Sequence, residues 1–480
     1  MDARVHEGAE GAPSGGGHRG RRRLIQGELK SVLGPGAVLP GDTPGYASDE
    51  TEGRGVHGEA DAVALPGSTE EVARVVEWCY AHDVAIVPRG GGSGFAGGAV
   101  PVEGGVVLSL ERMTAVREFE PLLWRMCVEA GVRTSEVRRM ARENGLFFPP
   151  DPGAAEQSQI GGNVATNAGG PHAFKYGVTG TWVTGIEAVV PPGEAISLGG
   201  PIRKDVSGYD VKSLLIGSEG TLGVITAAWL RLLPRPEARL PVVAFHPGVR
   251  EGCAAIERVL GSGLEPAALE YLDGGTLAAA GSAFPGGVPD GAGFMVLSEA
   301  DGSVAEAERV QSELGEALGE DALGIHTPGS PREVDELWRW RDGVSIAVTA
   351  RRGGKVSEDI VVPIDRLREA IEETLAIGRR HELEACSWGH AGDGNLHSTF
   401  LVARDDAAGL ARAGSAAEEL FELALRLGGS VSGEHGIGSV KRGGLALQST
   451  QATRALHEEI KRAFDPKGLL NPGKKAPAGV

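Results

Sequence analysis

Between two short apolar runs, Val84–Val87 and Val106–Leu110, the chain reads Pro88-Arg89-Gly90-Gly91-Gly92-Ser93-Gly94-Phe95-Ala96-Gly97-Gly98-Ala99-Val100-Pro101. Ordering so glycine-rich a loop costs backbone entropy. The return is close approach of backbone N–H groups to an anion such as a pyrophosphate. Gly92-Ser93-Gly94-Phe95-Ala96-Gly97 also fits G-x-G-x-x-G, which marks a dinucleotide fold only where a helix follows the loop. Here Gly98, Pro101, Gly104 and Gly105 lead into another strand-like run instead. The sequence therefore predicts a strand–loop–strand phosphate cradle with no helix dipole to help it, and excludes a Rossmann reading.

A chain of 480 residues has room for two or more domains. Its net charge of −18 argues against nucleic acid as a partner. Cys79, Cys127, Cys253 and Cys386 show no C-x-x-C, zinc-ribbon or iron–sulfur spacing, which predicts free thiols in a reducing compartment. Arg21-Arg22-Arg23 hints at a twin-arginine signal, but Leu24–Lys30 is too polar for a signal core. No run reaches transmembrane length, so the expectation is a cytoplasmic protein, at most peripheral to the inner face of a membrane.

Residues 1–25 read as an unstructured tail, with a short amphipathic helix over Gln26–Leu33. Ser68-Thr69-Glu70-Glu71 is a capping box that opens a helix to about His82, and Thr134 can cap a second helix that Gly145 stops. After the rigid Phe147–Pro152 come two further loops of small residues, Ile160–Gly170 and Gly217–Thr226. In the first, Asn163 and Asn167 offer amide donors and acceptors to a flat ligand. Val183–Val190 and Ala195–Leu198 predict a hairpin. Pro234-Arg235-Pro236 marks a boundary, giving domains at 26–236 and 237–430 and a C-terminal segment at 431–480. Beyond it, strands at Val242–Phe245, Leu269–Leu272 and Phe294–Ser298 mix with helices at Val249–Leu260, Val304–Leu318, Pro331–Val348 and Ile364–His381. The pattern predicts an α+β domain, an antiparallel sheet with helices on one face.

A second concentration of chemistry follows. Glu384–Val402 reads as a hairpin around Ala391-Gly392-Asp393-Gly394, with His390 opposite Asn395 and His397 two residues further on. Side-chain alternation puts all three on one face. Glu434, in Ser432-Gly433-Glu434-His435-Gly436-Ile437-Gly438, is a third ligand candidate. His₂Glu with open positions suits zinc, or manganese or iron. Arg341 and Ser345, at i and i+4 of one predicted helix, and Lys355 at a strand start offer a grip on a carboxylate.

Six motifs, PRGGGSGFAGG (88–98), IGGNVATNAGG (160–170), GSEGTLGVIT (217–226), GHAGDGNLH (389–397), SGEHGIG (432–438) and FDPKGLLNPGK (464–474), together resemble the FAD-dependent 2-hydroxy-acid dehydrogenases. These include glycolate oxidase catalytic subunits, D-lactate dehydrogenases and D-2-hydroxyglutarate dehydrogenases, within the vanillyl-alcohol oxidase / p-cresol methylhydroxylase superfamily. The resemblance implies a two-subdomain PCMH-type FAD-binding domain, then a substrate (cap) domain with an antiparallel sheet, and a C-terminal segment that returns to the flavin. It assigns the FAD site to Pro88, Arg89, Gly90, Gly91, Gly92, Ser93, Gly94 and Gly97, then to Pro152, Ile160, Gly161, Gly162, Asn163, Ala165, Thr166, Asn167, Gly169, Gly170 and Gly177. Glu219, Gly220, Gly223, Val224, Ile225 and Asn471 complete it, with Lys474 closing alongside Asn471. The first loop has no His, so FAD is expected to be non-covalent.

By the same resemblance His390, His397 and Glu434 bind a divalent metal, His435 is the base, and Arg341, Lys355 and Ser345 hold the substrate. The implied reaction oxidises a small D-2-hydroxy acid (D-lactate, glycolate or D-2-hydroxyglutarate) to the 2-oxo acid by hydride transfer to flavin N5. The electrons then pass to an external acceptor: a quinone, a cytochrome, an electron-transfer flavoprotein or a separate iron–sulfur subunit. An oxygen-using oxidase, or a flavin-binding subunit of a multi-subunit glycolate oxidase, is the alternative. Thr399 stands where hydroxyglutarate members carry Asn, and Ser398 where others carry Pro; both bear on the far end of the substrate.

Overall fold

The computed structural model describes residues 15–476. Three sheets organise it. A small mixed sheet runs Val38–Pro40, Ala62–Ala64, Val106–Ser109, Ile86–Arg89, and an antiparallel five-stranded sheet runs Val116–Glu120, Arg125–Glu129, Val224–Arg231, Val183–Val190, Glu194–Gly199. The third is antiparallel and seven-stranded: Gly324–His326, Ala238–His246, Phe294–Gly302, Ala268–Asp273, Glu384–His390, Asn395–Leu401, Lys355–Val361. The fold is α+β, a first half built on the two smaller sheets followed by a second half built on the antiparallel seven-stranded sheet.

The capping box forms as the sequence predicts. Ser68 accepts from the Glu71 N–H, and the helix Thr69–Ala81 buries Val72, Val75, Val76 and Cys79 against the small sheet. The N-terminal tail is shorter than predicted, because a helix spans Gly15–Leu33. The part of the tail before Gly15 lies outside the described residues. Arg22 pairs with Glu59 at 2.6 Å, Arg21 lies 3.7 Å from Asp61, and Ile25 and Leu29 are buried. The arginine run is thus bound to the domain's own acids.

Ile160–Thr166 is a helix where the sequence predicts a loop. Ile160 and Val164, one turn apart, are buried on one side, and Asn167 ends the helix at φ 54°, a left-handed position Asn tolerates. Its first turn meets the glycine loop, since a Cβ on Gly90 would lie 3.4 Å from Gly162 Cα. The loop does run from strand Ile86–Arg89 to strand Val106–Ser109 as expected, but a helix N-terminus lies beside the cradle where none was expected. This helix comes from a distant stretch of chain, which is why the local pattern does not show it.

Helices cover both faces of the seven-stranded sheet, where one was predicted. Val242, Ala244, Leu396 and Phe400 pack against Val249–Gly261, Val304–Gly319, Leu367–Arg380 and Ala407–Arg426. Val243, Phe245, Cys386 and Trp388 pack against Gly274–Ala280, Pro331–Asp342 and Val344–Ala350. Strand alternation makes both faces apolar, so both need cover. The predicted single helix Pro331–Val348 breaks at Gly343, a poor helix former, and the second piece turns to bury Val344 and Val348. The C-terminal chain returns to the first half, where Leu470 bridges Ile86.

Candidate active site

The glycine loop divides by role. Gly91 and Gly97 are packing glycines, because an added Cβ would fall 2.1 Å from the Gln157 carbonyl oxygen and 2.4 Å from Ser439 Oγ. Gly94, Gly98 and Gly162 have nothing within 4 Å of that position. Among the described residues, no acceptor in the chain meets the backbone N–H groups of Gly90 through Gly94. Consecutive free N–H groups beside open glycines form an anion nest, which fits a pyrophosphate. Arg89 is a strut below it: Nη1 donates to the Ser48 carbonyl at 2.8 Å, and the guanidinium lies where a Gly92 side chain would be.

Several polar side chains assigned to the cofactor also make hydrogen bonds within the chain. Asn163 Nδ2 donates to Thr134 Oγ1 at 2.6 Å, and Asn167 Oδ1 accepts from the Gly180 N–H at 2.8 Å. Each amide keeps its other atom, Asn163 Oδ1 and Asn167 Nδ2, outside these two hydrogen bonds. Thr166 Oγ1 donates to the Gly162 carbonyl, and the Ala165 carbonyl accepts from Glu219 N–H. The Glu219 carboxylate accepts from the N–H groups of Ile437 (2.8 Å) and Gly438 (2.6 Å). Asn471 Nδ2 donates to the carbonyls of Gly98 and Glu219, and its Oδ1 accepts from Lys474 Nζ at 2.7 Å. Burial lowers the Lys474 pKa to about 8. Gly220 packs on Pro88, Gly161 on Ala130, Gly170 on Asp151 beside Pro152, Gly177 on Thr181, and Gly223 near Leu215. Val224 and Ile225 are buried in two different cores. Together Glu219 and Asn471 lash the first loop, the third loop and the 432–438 turn into one wall.

The hairpin registers as its alternation predicts, with His390 opposite Asn395 and Trp388 opposite His397. Donor atoms of His390, His397 and Glu434 all lie within 4.8 Å of one another. Glu434 Oε1 is 3.3 Å from His390 Nε2, 3.5 Å from His397 Nε2 and 3.7 Å from His435 Nε2. This donor set fits a divalent ion. Burial, with His435 and His390 nearby, pushes the His397 pKa well down, which keeps its lone pair available. Gly169 brings the second motif here, since a Cβ on it would meet Glu434 Oε2 at 2.8 Å. His435 lies between the two halves. Its ring stacks on His397 with centroids 5.2 Å apart and meets Phe95 of the glycine loop at 5.0 Å.

Two buried carboxylates that motif reading missed hold this cluster. Asp359 Oδ2 accepts from the backbone N–H groups of Gly433 (3.0 Å), Glu434 (2.7 Å) and His435 (2.8 Å). Its Oδ1 takes Lys441 Nζ and lies 3.7 Å from His435 Nδ1. Burial opposes its charge, but Lys441, His435 and these N–H donors hold it far below the usual carboxylate range. Glu270 Oε1 meets His390 Nδ1 at 2.6 Å, while its Oε2 takes Nε (2.9 Å) and Nη2 of Arg341. Both lie within strands, and a carboxylate in a buried strand cannot stay there unpaired.

Of the carboxylate-gripping residues, Lys355 and Ser345 are brought together, but Arg341 and Ser345 do not share one helix as predicted. The break at Gly343 puts Arg341 and Ser345 on different helices. Arg341 joins the cluster through Glu270. Ser345 accepts from Lys355 Nζ, which lies 5.2 Å above the Trp388 ring, itself 5.8 Å from His397. Burial lowers the Lys355 pKa to about 8. Thr399 Oγ1 pairs with Ser357 on the ligand face, whereas Ser398 faces away and bonds Thr374.

A glycine loop with free backbone N–H groups thus faces an antiparallel sheet carrying a histidine-rich cluster. Residues 60–199 match the FAD binding domain family, and residues 235–475 match the C-terminal domain family of FAD linked oxidases. The chain belongs to the FAD-linked oxidases. It is 36% identical to the glycolate oxidase subunit GlcD of Bacillus subtilis (strain 168), across 86% of this chain and 88% of that one. It is 32% identical to D-lactate dehydrogenase of Anaerostipes hadrus (92% and 95% covered), and 31% to D-2-hydroxyglutarate dehydrogenase of Stutzerimonas stutzeri (strain A1501) (93% and 97%). The crystal structure of p-cresol methylhydroxylase superposes with a TM-score of 0.78 over 95% of this chain and 97% of that one; at 17% identity this shows the fold.

Proposed function

We propose that this FAD-linked oxidoreductase oxidises a small 2-hydroxy acid, glycolate or the D isomer of lactate or 2-hydroxyglutarate, to the 2-oxo acid. A divalent ion at His390, His397 and Glu434 assists. The carrying observation is the position of His435, stacked on His397 and touching Phe95 of the glycine loop. The names of the relatives support the substrate class.

When bound, FAD supplies the two-electron acceptor and the metal a Lewis acid for the substrate's oxygens. His435 takes the hydroxyl proton on a ring nitrogen. Asp359, on its Nδ1 side, favours the imidazolium that results, as the carboxylate does beside a catalytic histidine elsewhere. Arg341 and Lys355 supply positive charge for the substrate carboxylate, and Ser345 orients the Lys355 ammonium. FAD is held without a covalent tether, since no histidine lies in the first loop. Cys79, Cys127, Cys253 and Cys386 are free and buried at separate places, so the electrons leave to an external acceptor, a quinone, a cytochrome, an electron-transfer flavoprotein or an iron–sulfur subunit.

The test is anaerobic mixing with glycolate, D-lactate, L-lactate and D-2-hydroxyglutarate while the visible flavin band is followed. One of the three proposed acids should bleach it. His435→Ala should retain FAD and slow bleaching by about 10²–10⁴-fold. Full-rate bleaching in that variant removes His435 from the chemistry. A flavin that none of these acids reduces removes the substrate assignment.

A further inference from the structure

Glu270 is fully buried within the strand Ala268–Asp273 and stands opposite His390 in the sheet. Its two oxygens serve different groups. Oε1 meets His390 Nδ1 at 2.6 Å; Oε2 takes both Nε and Nη2 of Arg341, from the last turn of Pro331–Asp342. We infer that Glu270 is a positioning residue that couples the metal centre to the cation gripping the substrate carboxylate. The inference rests on the reading of His390 as a metal ligand and Arg341 as a substrate contact.

Two consequences follow from the atoms. A carboxylate on Nδ1 fixes the proton there, so His390 presents Nε2, the nitrogen that faces Glu434. Arg341 spends Nε–H and one Nη2–H on Glu270, which leaves its Nη1 hydrogens and the second Nη2 hydrogen for a ligand. Arg341 therefore offers its end-on Nη1/Nη2 edge, in a direction fixed by Glu270, to a substrate carboxylate. Because one carboxylate sets both groups, the ion and the substrate carboxylate are placed relative to one another, as a ligand bridging both requires. Without Glu270, each could shift independently.

The test uses FAD-loaded protein. Zinc affinity is measured by competition with a chromophoric chelator, with no turnover involved, for wild type and Glu270→Gln. Gln keeps the shape, but its single carbonyl oxygen can serve only one of the two partners. The variant should bind zinc about 10–100-fold more weakly. At saturating metal its KM for the hydroxy acid should remain several-fold raised while kcat changes less. Zinc affinity within twofold of wild type in a folded, FAD-bound variant overturns the proposal. Wild type that binds no zinc, manganese or iron removes the metal reading itself, and this inference with it. Should Glu270→Gln fail to fold, wild type still decides the matter. In zinc-loaded, ¹⁵N-histidine-labelled protein the His390 ring should carry its proton on Nδ1, assigned by its loss in His390→Gln. A proton on Nε2 refutes the assignment.

Discussion

At the scale of single residues, Asp359 does more than any residue the motifs name. Three successive backbone N–H groups, Gly433 to His435, converge on one of its oxygens, and the buried Lys441 holds the other. This converts a glycine-flanked turn into a rigid presenter of Glu434 and His435. Asp359→Ala should destabilise the protein by about 3–5 kcal/mol, because it leaves Lys441 buried with only the more distant carboxylate of Glu358, at 3.7 Å, and strips three backbone N–H groups of their side-chain acceptor. Urea denaturation monitored by tryptophan fluorescence measures this; a loss below about 1 kcal/mol would mean that the turn holds itself. His390, His397 and Glu434 were legible because hairpin alternation and glycine flanks are local signals. Glu270 and Asp359 were not, since their partners Arg341 and Lys441 lie 71 and 82 residues away. The sequence marks them only as charges within strand-like stretches.

Among the elements, the glycine loop and the helix Ile160–Thr166 form one device. The loop was legible from its composition alone. The helix was not, because Gly161, Gly162, Ala165 and Thr166 give it almost no amphipathic pattern, and only Ile160 and Val164 mark its buried side. The two kinds of glycine make opposite predictions. Gly162→Leu projects into space with nothing within 4 Å, so melting of the apoprotein should be unchanged while FAD affinity falls more than about tenfold. Gly91→Ala puts a methyl group 2.1 Å from the Gln157 carbonyl, so it should destabilise the apoprotein itself by about 1–3 kcal/mol. Thermal melts of apoprotein and flavin titrations separate the two. Equal effects of both substitutions on apoprotein stability would remove the distinction. The break at Gly343 belongs to this scale too: a continuous apolar period ran through it, and packing of Val344 and Val348 chose the direction.

For the whole molecule, the two halves are joined by buried charge. His172, from the FAD-binding half, meets Asp151 and, at 3.0 Å, Glu299 of the cap; Arg239 and Trp338 Nε1 also bind Glu299. Lys175 and Tyr176 both reach Asp301. Burial disfavours the His172 imidazolium, but Asp151 and Glu299 outweigh it and raise its pKa from 6.5 to about 9. Burial likewise opposes the Glu299 charge, and Arg239 and His172 bring its pKa down to about 2. A histidine with a raised folded-state pKa contributes stability that is complete below pH 6.5 and is lost as the pH climbs through about 9. The size is about 3 kcal/mol as an upper bound. Denaturation of wild type and His172→Gln at pH 6 and pH 9.5 should show the gap between them narrowing at the higher pH; a constant gap would assign His172 to packing alone. No described helix is long and apolar enough to cross a membrane. The α+β class and the order of the two halves were legible from the motif order. The second helical layer on the cap sheet was not, because each strand's two faces are both apolar and local sequence does not say what covers them.

The central claim is that an ion held by His390, His397 and Glu434 works with the flavin on one substrate. The most direct measurement removes the ion and nothing else. Purified protein is stripped with chelator, its FAD content is confirmed by the visible spectrum, and anaerobic reduction by the active hydroxy acid is timed before and after adding back zinc, manganese or iron. The account predicts that stripped protein keeps its flavin, is reduced at least about 100-fold more slowly, and recovers with one of these ions. Unchanged reduction of a metal-free, flavin-loaded protein would contradict it.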